Sequence, residues 1–247
     1  MTEEPFASGE RGVTVVIPTR NREEMVKETL NKVIEEAGRA GIGDKFEVFV
    51  VVDGSGYELP EFAISNLEVI HIPHKHFRPS MLRNVAAGAS HYDQLIFLDD
   101  DCIPEKGWLE AYWNAFEPSK PMFGPIQFID PETGEKGDRH PVHAATDTPR
   151  LMWTANISIP RKLFFKLGGL HPLFDQRHQV GEGAEFGWRA DSAGYDIKHV
   201  EDAEVEHQGL RADENSVRQE TGGENKTEVY NRLRHRWVEH KRQNEHA

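Results

Sequence analysis

The chain has 247 residues, enough for one substantial core, and a formal net charge of −13, with 29 Lys and Arg against 42 Asp and Glu. This balance argues against a nucleic-acid binder, which needs a basic footprint. Cys102 is the only cysteine, so no internal disulfide can form and no cysteine-based metal site is expected; a bound metal has to use oxygen and imidazole ligands.

Residues 1–12 are polar and acidic and read as a flexible N-terminus rather than a signal peptide. A strand is expected over Val13–Ile17, a β-branched run ended by Pro18. An amphipathic helix follows over Arg22–Ala40, with Met25, Leu30, Val33, Ile34 and Ala37 on one face. Further strands are expected at Phe46–Val52, Leu67–Ile72 and Gln94–Leu98, with a helix near Ser80–Ser90 before the last of them. Strands this apolar are buried on both faces. Their alternation with helices predicts an α/β fold with a doubly wound, mostly parallel central sheet, in which ligands collect beyond the carboxyl ends of the strands. Thr19, Asp53 and Asp99 fall there.

The second half is less regular. Met122–Ile129 and Leu151–Ile159 are strand candidates, and the polar stretch Asp130–Pro149 between them is expected to be a mobile loop. A helix over Glu182–Ala193 precedes short strands at Tyr195–Val200 and Ala203–His207. Gly209–Glu224 then reads as a lid or connection. Lys226–Gln243 reads as a basic helix with Val229, Leu233 and Trp237 on one face, packed on the main domain. Its charge contrast with the acidic body fits peripheral association with an anionic membrane surface. No apolar run approaches the ~20 residues that cross a bilayer, so the expected location is cytoplasmic.

The chemistry concentrates at Asp99, Asp100 and Asp101, delivered by the apolar run Leu95–Leu98. Adjacent carboxylates repel. A hard divalent cation, Mg²⁺ or Mn²⁺, relieves that repulsion and keeps coordination sites for diphosphate oxygens. The same residues also fit a solvated acidic turn, or the start of a helix at Pro104 and Glu105. HIPHKHFRP, with His71, His74 and His76, reads as a loop beside the cleft, since Pro73 disfavours a helical ligand pair.

FLDDDCIP at Phe97–Pro104 resembles the Asp-x-Asp segment of nucleotide-sugar-dependent glycosyltransferases with the GT-A fold, family 2 in particular. Other segments agree in order: VTVVIPTRNR at Val13–Arg22, FVVVDGS at Phe49–Ser55, MLRN at Met81–Asn84, GGLHPLF at Gly168–Phe174, GEGAEFGWR at Gly181–Arg189 and VEH at Val205–His207. The resemblance implies a GT-A domain over 13–209, with a nucleotide-binding half at 13–104 and an acceptor half at 105–209. A loop or lid at 210–225 and a C-terminal helix at 226–247 would follow.

The resemblance also implies a UDP- or GDP-linked sugar as donor, an unidentified acceptor, and Mn²⁺ or Mg²⁺ as cofactor. Thr19, Arg20, Asp53, Arg83, Asp99 and Asp100 would meet the nucleotide-sugar. Asp101, with Asp99 and His207, would hold the metal. Apart from the resemblance, Trp153 and Trp188 offer rings that stack on the sugar faces of an acceptor, or else belong to the core. The family's usual base is the Asp of a Glu-Asp pair lying seven and six residues before an Arg. Counted back from Arg189, that pair is Glu182 and Gly183, so the Asp is missing. Three readings stand: Glu182 or Glu185 serves as base, the enzyme is retaining and the donor phosphate takes the proton, or activity is lost. Two other functions compete with sugar transfer. One is nucleotidyl transfer, for which the Gly-rich phosphate loop is absent after the first strand. The other is non-catalytic nucleotide-sugar binding.

Overall fold

The computed structural model describes residues 10–53, 66–72, 79–140, 148–175, 181–209 and 235. In chain order its regular elements are β1 (Glu10–Thr19), α1 (Glu23–Ala40), β2 (Phe46–Asp53), β3 (Leu67–Ile72), α2 (Pro79–Ala89), β4 (Tyr92–Leu98), β5 (Cys102–Pro104) and α3 (Trp108–Ala115). There follow β6 (Met122–Phe123), β7 (Ile126–Ile129), β8 (Lys136–His140), β9 (Asn156–Pro160), α4 (Arg161–Lys166), α5 (Glu182–Ser192), β10 (Lys198–His199) and β11 (Val205–Gln208).

The larger sheet has the order β10-β6-β9-β4-β1-β2-β3. It is parallel except at β9, which runs antiparallel to both β4 and β6. The central strand β1 is buried from Val13 to Thr19, as the β-branched run requires. Its alternate residues feed two cores. Val13, Val15 and Ile17 pack with α1 and α3 on one face, while Val16 packs with α2, α4 and α5 on the other. The chain leaves β1 through α1 to β2 on one side, then returns through α2 to β4 on the opposite side. The switch in strand order therefore falls at β1, and the carboxyl ends of β1, β2 and β4 open onto one crevice. This is the expected α/β arrangement, with a second sheet in the order β5-β11-β7-β8 beside it.

Asn156 ties the two sheets together and leaves none of its side-chain polar atoms unpaired. Its amide donates to the carbonyls of Pro125 (3.0 Å) and Ala203 (2.7 Å), while its Oδ1 accepts from Trp108 Nε1 and Tyr112 OH, each at 3.0 Å. A buried polar group of this kind favours one packing arrangement, because any slip orphans several partners.

Several expectations are corrected. Residues 10–12 belong to β1: Gly12 N donates to Asp93 Oδ1 (3.2 Å), and the Arg11 guanidinium lies 3.7 Å over the Trp113 ring. Met122–Ile129 is two strands in different sheets, because the chain crosses between them at Gly124, where a Cβ would overlap the Ala203 carbonyl. In the expected loop after Ile129, residues 136–140 form β8, paired antiparallel with β7. The Asp130 carboxylate closes the hairpin by accepting from the amides of Glu132 (2.8 Å) and Thr133 (3.1 Å). Arg139 anchors it to Glu201 and Glu204.

Cys102–Pro104 is a strand paired with β11, so no helix opens at Pro104. Instead α3 starts at Trp108 after Gly107, whose φ is 92°. The strand expected from Leu151 begins only at Asn156, after a 3₁₀ turn at Thr148–Leu151, and the one expected over Tyr195–Val200 shrinks to Lys198–His199. The short helix α4 was not expected. His74, His76, the 210–225 segment and the 226–247 helix lie outside the described residues, apart from His235, which is helical. No helix among the described residues is long and apolar enough to cross a membrane.

Candidate active site

At the end of β4 the three aspartates turn sharply, with Cys102 N donating to Asp99 O at 3.2 Å. They diverge in partner and burial. Asp100 turns inward: its Oδ2 accepts from Thr19 Oγ1 (2.7 Å), and its carbonyl accepts from Thr29 Oγ1 of α1 (2.9 Å). Asp101 points toward β11, with His207 Nε2 3.6 Å from its Oδ1. That proximity follows from strand register, since the antiparallel pairing of β5 and β11 sets His207 opposite Cys102. Ligand atoms of Asp101, Cys102 and His207 lie within 4.8 Å of one another. His207 Nδ1 is buried and has no hydrogen-bond partner among the described residues. Asp99 stays partly exposed and pairs with Arg83 Nη2.

Arg83 on α2 is 2% exposed and bridges two acids, Asp99 through Nη2 and Glu182 Oε1 through Nη1 at 3.3 Å. Glu182 is the first residue of α5, where a carboxylate is favoured by the helix dipole. Its Oε1 also accepts from Thr154 Oγ1 (2.8 Å). At the end of β2, Asp53 is fully buried, with its Oδ2 3.7 Å from Arg20 Nη1. Thr19, Arg20, Asp53, Arg83, Asp99, Asp100, Asp101, Glu182 and His207 are thus placed at one end of the sheet.

Among the described residues the group has more acidic than basic side chains, with Asp53, Asp99, Asp100, Asp101 and Glu182 set against Arg20, Arg22 and Arg83. Burial pushes Asp100 up to about 6, although Thr19 and Arg22 pull it the other way. Asp101 is raised by burial and then by Asp99, against His207 and Arg22. Glu182 is raised by burial, which outweighs Arg83 and Thr154.

Other expected residues sit elsewhere. Both oxygens of Glu185 are held in the fork of Arg189, at 2.5 and 2.7 Å, and Arg189 also donates to the carbonyls of Leu167 and Gly169. Glu185 therefore orients Arg189, which fastens α5 to the preceding turn, and Glu185 is not placed to take a proton from an acceptor. Trp188 is 1% exposed and belongs to the packing of α5, so its ring offers no open face for a sugar. Trp153 lies at the rim, but one ring face is covered by His140, with centroids 3.8 Å apart. The edge contact of Trp153 with Phe128 leads on to His207.

The missing aspartate has a steric cause. A Cβ at Gly183 would overlap the Met152 carbonyl oxygen and come within 3.0 Å of the Thr154 amide, and one at Gly187 would fall 2.5 Å from the Pro149 carbonyl oxygen. One turn apart on α5, these two glycines let the backbone of residues 149–154 lie directly on the helix. That same contact brings Thr154 to Glu182.

Sequence reasoning missed Arg22, Thr29 and Thr154. Arg22 Nη1 donates to both Asp100 Oδ1 (3.0 Å) and Asp101 Oδ2 (2.8 Å). The local signal for it was Asn21, a residue type that tolerates the left-handed conformation found there (φ 54°), which turns the chain over the site before α1. Thr154 had no local signal.

The model of the family "Glycosyl transferase family 2" matches residues 14–174. The chain is 28% identical over 221 residues to the pre-mycofactocin glycosyltransferase of Mycobacterium tuberculosis, covering 82% of this chain but only 44% of that protein. Among solved structures it is similar to S. aureus TarS 1-349 (TM-score 0.61, 18% identity, 80% of this chain and 60% of that one). It is also similar to GalNAc-T7 solved with UDP, GalNAc and Mn²⁺ (TM-score 0.60, 16% identity, 82% of this chain and 45% of that one). At these identities the structural likeness establishes a shared GT-A architecture.

Proposed function

Because the chain belongs to glycosyl transferase family 2, we propose that it moves a sugar from a nucleoside-diphosphate sugar to an acceptor hydroxyl, with inversion and with Mn²⁺ or Mg²⁺ as cofactor. The observation that carries this reading is the acidic turn itself: buried carboxylates that outnumber the positive groups among the described residues, with the imidazole Nε2 of His207 3.6 Å from Asp101 Oδ1. The donor set fits a divalent cation, since Asp101 and His207 offer an oxygen and a nitrogen, and a second acid, Asp99, is near enough to act on Asp101 electrostatically. When bound, the cation would offset the negative charge that develops on the departing diphosphate. UDP is the first donor nucleotide to try, given the ligands of GalNAc-T7.

The remaining tasks fall to the chain's own side chains. Asp53, buried and beside Arg20, is positioned to accept a hydrogen bond from a nucleobase ring N–H, with Thr19 nearby at the end of β1. Arg83 bridges Asp99 and Glu182 and would bring positive charge to the nucleotide. Glu182, whose side-chain partners among the described residues, Arg83 and Thr154, both meet Oε1, is assigned the proton of the acceptor hydroxyl.

A thermal-shift screen of nucleotide-sugars with and without Mn²⁺ tests this. A donor at 100 times its Kd stabilises the protein by about 2.7 kcal/mol, and Asp101→Ala is expected to remove the metal-dependent part of the shift. An equal shift in the variant would refute the ligand assignment. The same assay should respond to pH. Asp100, at about 6 against an ordinary 3.8, binds its proton more tightly in the folded chain. Acidification from about pH 6 to 4 therefore favours the metal-free fold through this group, while it weakens attraction for a cation. The Mn²⁺-dependent shift should be smaller at pH 5 than at pH 7.5, and a larger one at pH 5 would contradict this.

A further inference from the structure

Arg22 occupies an unusual place. It lies just before α1, its side chain is 50% exposed, and one nitrogen is shared between two carboxylates that are only 7% and 13% exposed. The acids are held from behind: Asp100 by Thr19 and Thr29, and Asp101 by the Gln208 amide donating to its carbonyl at 2.9 Å. The guanidinium is thus the partner with freedom to leave. Its nitrogen lies 2.8 Å from Asp101 Oδ2, and the opposite oxygen of the same carboxylate faces His207. A divalent cation on Asp101 would stand within a few ångströms of that positive charge, and in a site this buried like charges repel strongly. A diphosphate changes the balance, because its oxygens give the guanidinium fork another anion to hold.

Resting on the metal-dependent reading above, we infer that Arg22 is a positioning residue that competes with the divalent cation for Asp100 and Asp101 and yields to it when a diphosphate is present, so that cation and donor bind as a pair. Binding of each then strengthens the other by the same factor. The arrangement keeps the acidic turn ordered between turnovers and disfavours capture of a cation without a donor.

The test is Mn²⁺ binding to the full chain, followed by loss of the free-ion electron paramagnetic resonance signal, with and without UDP or GDP. In the native protein the better nucleotide should tighten Mn²⁺ binding about 10-fold or more. In Arg22→Gln, Mn²⁺ alone should bind about 5- to 10-fold more tightly, with the nucleotide enhancement reduced to about 3-fold or less. Arg22→Lys keeps the charge without the fork. It should bind Mn²⁺ alone as weakly as the native chain and lose part of the enhancement, a pattern that a merely structural role would not produce. Weaker or unchanged Mn²⁺ binding in Arg22→Gln, with the enhancement intact, would overturn this inference and leave the metal reading standing. No Mn²⁺ binding to any of the three proteins would overturn both.

Discussion

Glu182→Gln is expected to lower kcat by about 10²- to 10⁴-fold, the range for loss of a positioned general base, while the KM for the donor changes little. The substitution is chosen because the glutamine Oε1 can still accept from Thr154 Oγ1 and Arg83 Nη1, so shape and hydrogen bonds persist and only the charge and basicity go. Glu182 also has the environment of a base. It is buried, raised above the usual carboxylate range, and held in one orientation at the start of α5. Because only the ionised form accepts a proton, the acidic limb of the rate profile should lie above that of an ordinary glutamate and should vanish in the variant. Steady-state kinetics across pH, with circular dichroism to confirm folding, would decide the matter. A variant that keeps native kcat would move the proton elsewhere, to the donor phosphate of a retaining reaction, and product anomer analysis would then show retention.

Putting an aspartate back at position 183 should not rescue or improve catalysis; it should unfold the region. The Cβ alone would overlap the Met152 carbonyl and crowd the Thr154 amide, both of them backbone atoms that cannot rotate away. Overpacking of this kind costs about 1–3 kcal/mol, and a carboxylate forced into a buried seam adds to it. Gly183→Asp should therefore lose about 3 kcal/mol or more in urea denaturation. Gly183→Ala, which carries only the overlap, should lose roughly 1–3 kcal/mol. Displacement of residues 149–154 would also pull Thr154 from Glu182, so activity should fall with stability. A Gly183→Asp protein with native stability and higher kcat would mean that the seam opens easily and that this position, not Glu182, is where the base belongs.

Much of this protein was legible in the sequence because the relevant signals are local. Apolar runs ending at Thr19, Asp53 and Leu98, with amphipathic stretches between them, specify a parallel sheet and one end at which polar side chains gather. Three consecutive aspartates announce an unbalanced charge whatever the fold. Glycine at 183 was visible as a departure from the family, though its cause was not. The readings that failed locally did so where tertiary contact overrides propensity: Gly124 breaks one apolar run between two sheets, and Asp130 with Arg139 turns an apparent loop into a hairpin.

Only the tertiary structure decided which acid is which. Arg83 meets Glu182 across 99 residues of chain, Thr19 meets Asp100 across 81, and Arg22 meets Asp101 across 79. His207 reaches Asp101 through the register of two short strands. Charge and hydrophobic periodicity are properties of neighbours along the chain, so composition and spacing express them. A proton acceptor or a cation competitor is defined by angstrom-scale distances between distant segments, and those exist only once the core has packed and set each backbone in place.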